Sequence, residues 1–171
     1  MQSLCNLLKG RISYKYLQQI HARVFRIGAH QENLIATRLI GQYPSKFSLR
    51  ILFHQLKNPS IFPFNAVIRV LSEEGMVTDA FFVFNKLRCH SLLPNELTLS
   101  FLFKACCGNW TSCYVQQVHT LVVKLGFGDD PFVCNGLLSA YARSLNELHN
   151  ARKVFDEMPE KGVVCWTCLI S

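Results

Sequence analysis

Tyr16-Leu17-Gln18-Gln19-Ile20-His21 recurs 98 residues later as Tyr114-Val115-Gln116-Gln117-Val118-His119, without a gap. The overlay runs on to Gly28 over Gly126 and Glu32 over Asp130, and Asn33–Tyr43 lies over Pro131–Tyr141 at the same offset. A third pair, residues 61–69 over residues 163–171, sits at offset 102, so four residues are missing between Tyr43 and Ser60. A chain that copies itself over this distance is a repeat architecture, and that decides the fold before any single motif is weighed.

A shorter period lies inside the long one. Leu49, Leu52, Phe53 and Leu56 stand at i, i+3, i+4 and i+7. So do Ala80, Val83, Phe84 and Leu87, then Val118, Leu121, Val122 and Leu125, then Ala151, Val154, Phe155 and Met158. This spacing lays four apolar side chains on one helical stripe. An apolar first helix is expected before these second helices, over Leu34–Tyr43, Phe64–Leu71, Leu99–Cys107 and Phe132–Tyr141. Breakers punctuate the units: Pro44, Pro59, Gly75, Pro94, Gly108, Gly126, Pro131, Pro159 and Gly162. No period-two alternation is long enough for a strand. The expected fold is all-α, a solenoid of helix–turn–helix units of roughly 30–35 residues.

The composition agrees. Half of the 171 residues are hydrophobic and 17% are charged, which excludes a disordered tail. Stacked units share one core, so inner units bury both sides and need apolar residues without any membrane segment. The longest uncharged run, Ala105–Val123, carries Gln116, Gln117 and His119 and is not read as a membrane span. The eight cysteines are read as reduced, buried thiols. Cys165-Trp166-Thr167-Cys168 has CxxC spacing with no second pair at zinc-finger distance, so no metal, cofactor or catalytic residue is assigned. Asn109-Trp110-Thr111 matches a glycosylation acceptor but has no secretory context. Glu73-Glu74 and Asp129-Asp130 stand at unit boundaries with no partner base, and His21 and His119 specify the repeat.

The formal charge is +7. Residues 1–60 hold nine Lys/Arg against one acid, Glu32, and are net +8; residues 61–171 are net −1. The first 31 residues have no acid and resemble a transit peptide in composition, but the gapless overlay of residues 4–32 on residues 102–130 argues for helical repeat structure.

The sequence resembles the plant pentatricopeptide repeat family, in its subclass of alternating long, standard and short repeats. Residues 61–95 resemble a standard unit, with Phe64-Asn65-Ala66-Val67-Ile68 and Leu93-Pro94-Asn95. Residues 96–130 resemble a long unit and 131–162 a short one, the latter with Val154-Phe155-Asp156-Glu157-Met158-Pro159. Residues 1–32 resemble a long unit with a clipped first helix, 33–60 a shortened short unit, and 163–171 the start of a standard unit. The tetratricopeptide signature is absent.

The resemblance implies a right-handed α-solenoid in which one repeat addresses one base of single-stranded RNA. It implies base-reading residues at the fifth and last positions of each unit. The fifth positions are Thr37, Asn65, Ser100, Asn135 and Thr167, and the last are Ser60, Asn95, Asp130 and Gly162. Asn65/Asn95 resembles a pyrimidine reader that prefers cytosine to uracil, whereas Thr37/Ser60 hints at a purine. Base-sandwiching side chains at the second positions are Leu34, Phe62, Leu97, Phe132 and Val164, for which solenoid packing is the competing expectation. Phosphate contacts are expected from Lys9, Arg11, Lys15, Arg23, Arg26 and Arg38. The expected role is RNA recognition in a mitochondrion or chloroplast, in C-to-U editing, without a catalytic domain in this chain. A deaminase or editing cofactor protein would act in trans, and no membrane is involved. The alternatives are a protein-binding helical scaffold and a truncated gene fragment without activity.

Overall fold

The computed structural model describes residues 6–10, 12–107, 112–144 and 147–170. Among these residues there are ten α-helices and no strand. In chain order they are α1 (Tyr14–Arg26), α2 (Asn33–Ile40), α3 (Ser45–Arg50), α4 (Ile61–Glu73) and α5 (Val77–Cys89), followed by α6 (Glu96–Ala105), α7 (Ser112–Leu125), α8 (Pro131–Ala142), α9 (Leu148–Glu157) and α10 (Val163–Ile170). Even-numbered helices α2, α4, α6, α8 and α10 pack each on the next in one row. Helices α3, α5, α7 and α9 each lie against members of that row and form a second layer. The result is a two-layer α-solenoid.

Position in the row explains how apolar each helix is. Helix α4 has neighbours α2, α5 and α6 and buries Phe64, Ala66, Val67, Ile68, Val70 and Leu71. Helix α1 buries a single stripe, Leu17, Ile20 and Val24, and leaves Tyr14, Tyr16 and Phe25 exposed beside its polar residues. Helix α10, with α8 and α9 on one side, buries only Cys165. Each fully buried Leu, Ile, Val or Phe contributes about 1.5–3 kcal/mol, so the inner helices dominate stability.

Local signals set the helix ends. Helix α6 begins at Glu96, three residues before the apolar run that starts at Leu99. Asn95 and Thr98 form a reciprocal capping box there and satisfy the first backbone donors. Asp130 caps α8 through the Val133 N–H at 2.8 Å, with Pro131 in the first turn, where no donor is needed. Gly28 and Gly126, one above the other in the overlay, both turn the chain in the left-handed region, at φ 72° and 75°.

Two expectations need correction. The second helix of residues 33–60 is not regular: α3 spans six residues and passes into a π-helical turn, Ile51–Gln55. With the link after Tyr43 shortened, α3 starts at Ser45, and its buried line runs Ser45, Ser48 and Ile51, leaving Leu49 only partly buried. The side chain of Leu52 lies outside the described residues. The thiols are not uniformly buried either. Cys106, Cys134 and Cys165 are buried and Cys168 is half-buried, but Cys89, Cys107 and Cys113 are exposed, because they fall at helix ends rather than on inward stripes. Cys5 and the segment 108–111 lie outside the described residues. No described helix is long and apolar enough to cross a membrane.

The repeated histidines share one job. His21 Nδ1 lies 3.1 Å from the Tyr43 hydroxyl, and His119 Nδ1 lies 3.0 Å from that of Tyr141. Burial, with a smaller push from Glu147, raises the Tyr141 phenol to about 12, and burial lowers His119. Both groups are therefore neutral at pH 7, and the bond joins a neutral phenol to a neutral imidazole. These bonds pin α1 to the end of α2 and α7 to α8.

Candidate nucleic-acid interface

Each helix of the row presents its second residue to solvent. Leu34, Phe62, Leu97, Phe132 and Val164 are all between 46 and 60% exposed. Two residues beyond Phe62 on the same helix, Phe64 is fully buried. A 200° turn separates the two rings, so one points out and the other into the core. Single exposed apolar side chains are ordinary on proteins. One at the same register of five successive helices forms an apolar row along one face.

The fifth residue of each helix lies next to the second on the helix surface, three positions on. The structure places these residues in three ways. Asn65 is only 5% exposed and belongs to a polar cluster. Its Nδ2 donates to Asn95 Oδ1 at 3.0 Å, and Thr98 Oγ1 donates to its Oδ1 at 2.7 Å. Asn135 is half-buried, and its Oδ1 accepts from Cys165 Sγ at 3.0 Å. Thr37 and Thr167 instead turn their hydroxyls onto their own helices, to the Asn33 carbonyl at 2.6 Å and the Val163 and Val164 carbonyls at 3.0 and 2.9 Å. Ser100 is half-buried on α6.

The last-position residues are helix caps. Asn95, Asp130 and Ser60 stand immediately before α6, α8 and α4, and Gly162 immediately before α10. This explains why a unit's last side chain can reach its fifth: the cap of one row helix sits beside the preceding row helix, on which its own helix packs. Asn65 and Asn95 are brought together in this way. Thr37 and Ser60 share no hydrogen bond among the described residues. The Ser60 N–H donates to Asn33 Oδ1 at 2.7 Å, and its hydroxyl is buried without a partner. Gly162 offers no side chain.

The expected phosphate residues fall mostly elsewhere. Lys15, Arg23 and Arg26 are exposed on α1, which precedes the row, and exposed Lys9 lies before α1. Arg26 also lines a groove of about 530 Å³ between α1 and α3, with Tyr14, Phe25, Phe47 and Arg50. Arg38 is half-buried on α2, one residue after Thr37. Arg11 lies outside the described residues.

Two cations that the sequence reading passed over are on the row itself. Arg69 and Lys104 are the ninth residues of α4 and α6, seven after Phe62 and Leu97 and so on the same stripe. Both reach Glu73, at 3.1 and 3.6 Å, which gives Glu73 two basic partners where none was expected. The Arg69 guanidinium also lies where a side chain at Gly41, the residue that caps the end of α2, would begin, 2.9 Å from that Cβ position. The seven-residue step from the second position was the signal that could have found them. Glu74 accepts from the Ser45 N–H at 3.0 Å.

Known proteins share these repeats. Residues 59–108 match the PPR repeat family and residues 132–163 match the PPR repeat. A pentatricopeptide repeat-containing protein of Arabidopsis thaliana is 36% identical over 160 residues, 91% of this chain and 23% of its own length. A second from that plant, ELI1, named chloroplastic, is 34% identical over 172 residues, 97% of this chain and 26% of its own. The chain thus spans about a quarter of the length of these relatives. On the matched repeats, the two-layer stack and these relatives, the chain belongs to the pentatricopeptide repeat family.

Proposed function

We propose that the chain binds single-stranded RNA along the exposed face of the α2–α4–α6–α8–α10 row, one base per unit. The observation that carries this reading is the row of exposed apolar second residues beside polar fifth residues. Side chains such as Phe62 and Phe132 offer stacking surface, and fifth and last side chains offer hydrogen bonds to a splayed base edge. Arg69 and Lys104 supply phosphate contacts along the row. In this reading Asn65/Asn95 takes a pyrimidine, cytosine before uracil, and Thr37/Ser60 a purine.

The finer reading is a member of the subclass with alternating long, standard and short units. It would act in an organelle as the recognition part of C-to-U editing, with the deaminase or an editing cofactor protein in trans. Names of relatives support the organelle: ELI1 and a second relative, 30% identical over 167 residues, are called chloroplastic. A filter-binding titration against pyrimidine-containing single-stranded RNA tests the function. Affinity should fall with salt, with a log–log slope near −0.7 per phosphate contact. Binding that is absent, or indifferent to salt, would sink the RNA reading.

A further inference from the structure

The third residue of each row helix has no role in the reading above, yet two of these residues touch a fifth-position amide across the unit boundary. They are Thr98 on α6, facing Asn65, and Cys165 on α10, facing Asn135. The other third residues, Ile35, Pro63 and Val133, carry no donor. Pro63 and Val133 follow the units whose fifth residues are Thr37 and Ser100. The side-chain donors thus stand only opposite asparagine.

The hydrogen bonds around Asn65 have one consistent assignment. Backbone N–H groups can only donate. The Thr98 N–H donates to Asn95 Oδ1 at 3.1 Å, and the Asn95 N–H donates to Thr98 Oγ1 at 3.2 Å. Asn95 Oδ1 also receives Asn65 Nδ2, which fills its two lone pairs. The Thr98 hydroxyl lies 2.9 Å from Asn95 Oδ1 and 2.7 Å from Asn65 Oδ1; with the first oxygen already filled, its proton goes to the second. A flipped Asn65 amide would set two carbonyl oxygens against each other at the 3.0 Å now spanned by its N–H. The amide is therefore held in one orientation. What is left is one N–H on Asn65, two on Asn95 and one lone pair on Asn65 Oδ1. Adjacent donors match the neighbouring O2 and N3 acceptors of cytosine and oppose the N3–H of uracil.

We propose that Thr98 and Cys165 are positioning residues for base choice: each locks the fifth-position amide of the preceding unit, so that a base is chosen partly by the next repeat. The inference rests on the RNA-binding reading. At Asn135 the thiol makes only the bond to Oδ1, as Thr98 does at Asn65; Gly162 supplies no acceptor for the amide N–H, and S–H is a poor donor, so the hold is weaker.

The test uses the full chain and a randomised pool of short single-stranded RNA, recovered on filters and sequenced. Thr98→Val should lower the cytosine-over-uracil preference at one base by about fivefold, the size of one net hydrogen bond, and leave other positions unchanged. Thr98→Ser should restore it. Cys165→Ala should flatten, and Cys165→Ser sharpen, the preference two bases away. Cys165 has no part in a helix cap, so its pair carries the test if Thr98→Val proves unfolded by circular dichroism. Variants that still bind with wild-type preference at every base would overturn the proposal and leave RNA binding standing. A wild-type chain that enriches no base would overturn the RNA reading, and this inference with it.

Discussion

Phe62 and Phe64 offer a paired perturbation two residues apart on one helix. Phe64 is fully buried, with its ring edge-on to Phe53 at 6.5 Å and tilted on His90 at 5.4 Å. Phe64→Ala removes that ring from the contact between α4 and its neighbours, and should cost about 3–5 kcal/mol. Phe62 is 60% exposed, and Ala is the better helix former, so Phe62→Ala should change stability by no more than about 0.5 kcal/mol. If Phe62 sandwiches a base, the same change removes one stacking surface, worth about 1–3 kcal/mol, or roughly 5- to 150-fold in Kd. Urea unfolding followed by circular dichroism reads the first quantity. Fluorescence anisotropy with a labelled single-stranded RNA at fixed salt reads the second. A stability loss above about 2 kcal/mol for Phe62→Ala would put that ring among the packing residues. An unchanged Kd would remove it from the interface.

Asn95→Ala takes away both the α6 cap and the acceptor for the buried Asn65 amide, and should destabilise by about 2 kcal/mol in urea. Gly136→Ala would place a Cβ 2.8 Å from the Phe103 ring, where α6 and α8 pack. The overpacking, roughly 1–3 kcal/mol, should outweigh the helix-propensity gain of about 1 kcal/mol and lower the urea midpoint. His119 gives a pH dependence of definite sign. Burial holds its pKa below the ordinary 6.5, so below that pH the unfolded chain binds more protons. Its contribution is complete above 6.5 and is lost as pH falls through the folded value. Urea midpoints measured across the acid range should show that fall, and His119→Gln should shrink it.

The repeat was legible because stacking imposes a register. The Gln-Gln and His pairs at offset 98, and the i, i+3, i+4, i+7 stripes, depend on local geometry that a sequence displays directly. The polar fifth positions came instead from the family resemblance, which supplies the register in which they recur. The π-turn at Ile51–Gln55 was not legible, since its apolar pattern is also that of a regular helix. Nor was the basic pair at the interface. The excess of charge in the first 60 residues drew attention to α1, whereas Arg69 and Lys104 belong to the near-neutral remainder and meet only when α4 packs on α6.

The sequence by itself determined the architecture: the helical repeat and the inward stripes of its second helices were set by periodicity and breakers. Tertiary structure alone decided which recurring side chains face out. Phe62 and Phe64 are the same residue type on one helix, and only the packed neighbours, Phe53 and His90 among them, make one core and the other surface. It also decided which polar groups meet. Asn65, Asn95 and Thr98 are 30 and 3 residues apart in the chain, and they form one hydrogen-bonded cluster because the cap of α6 docks beside α4. Such contacts depend on how units stack, a geometry that no single unit's sequence contains.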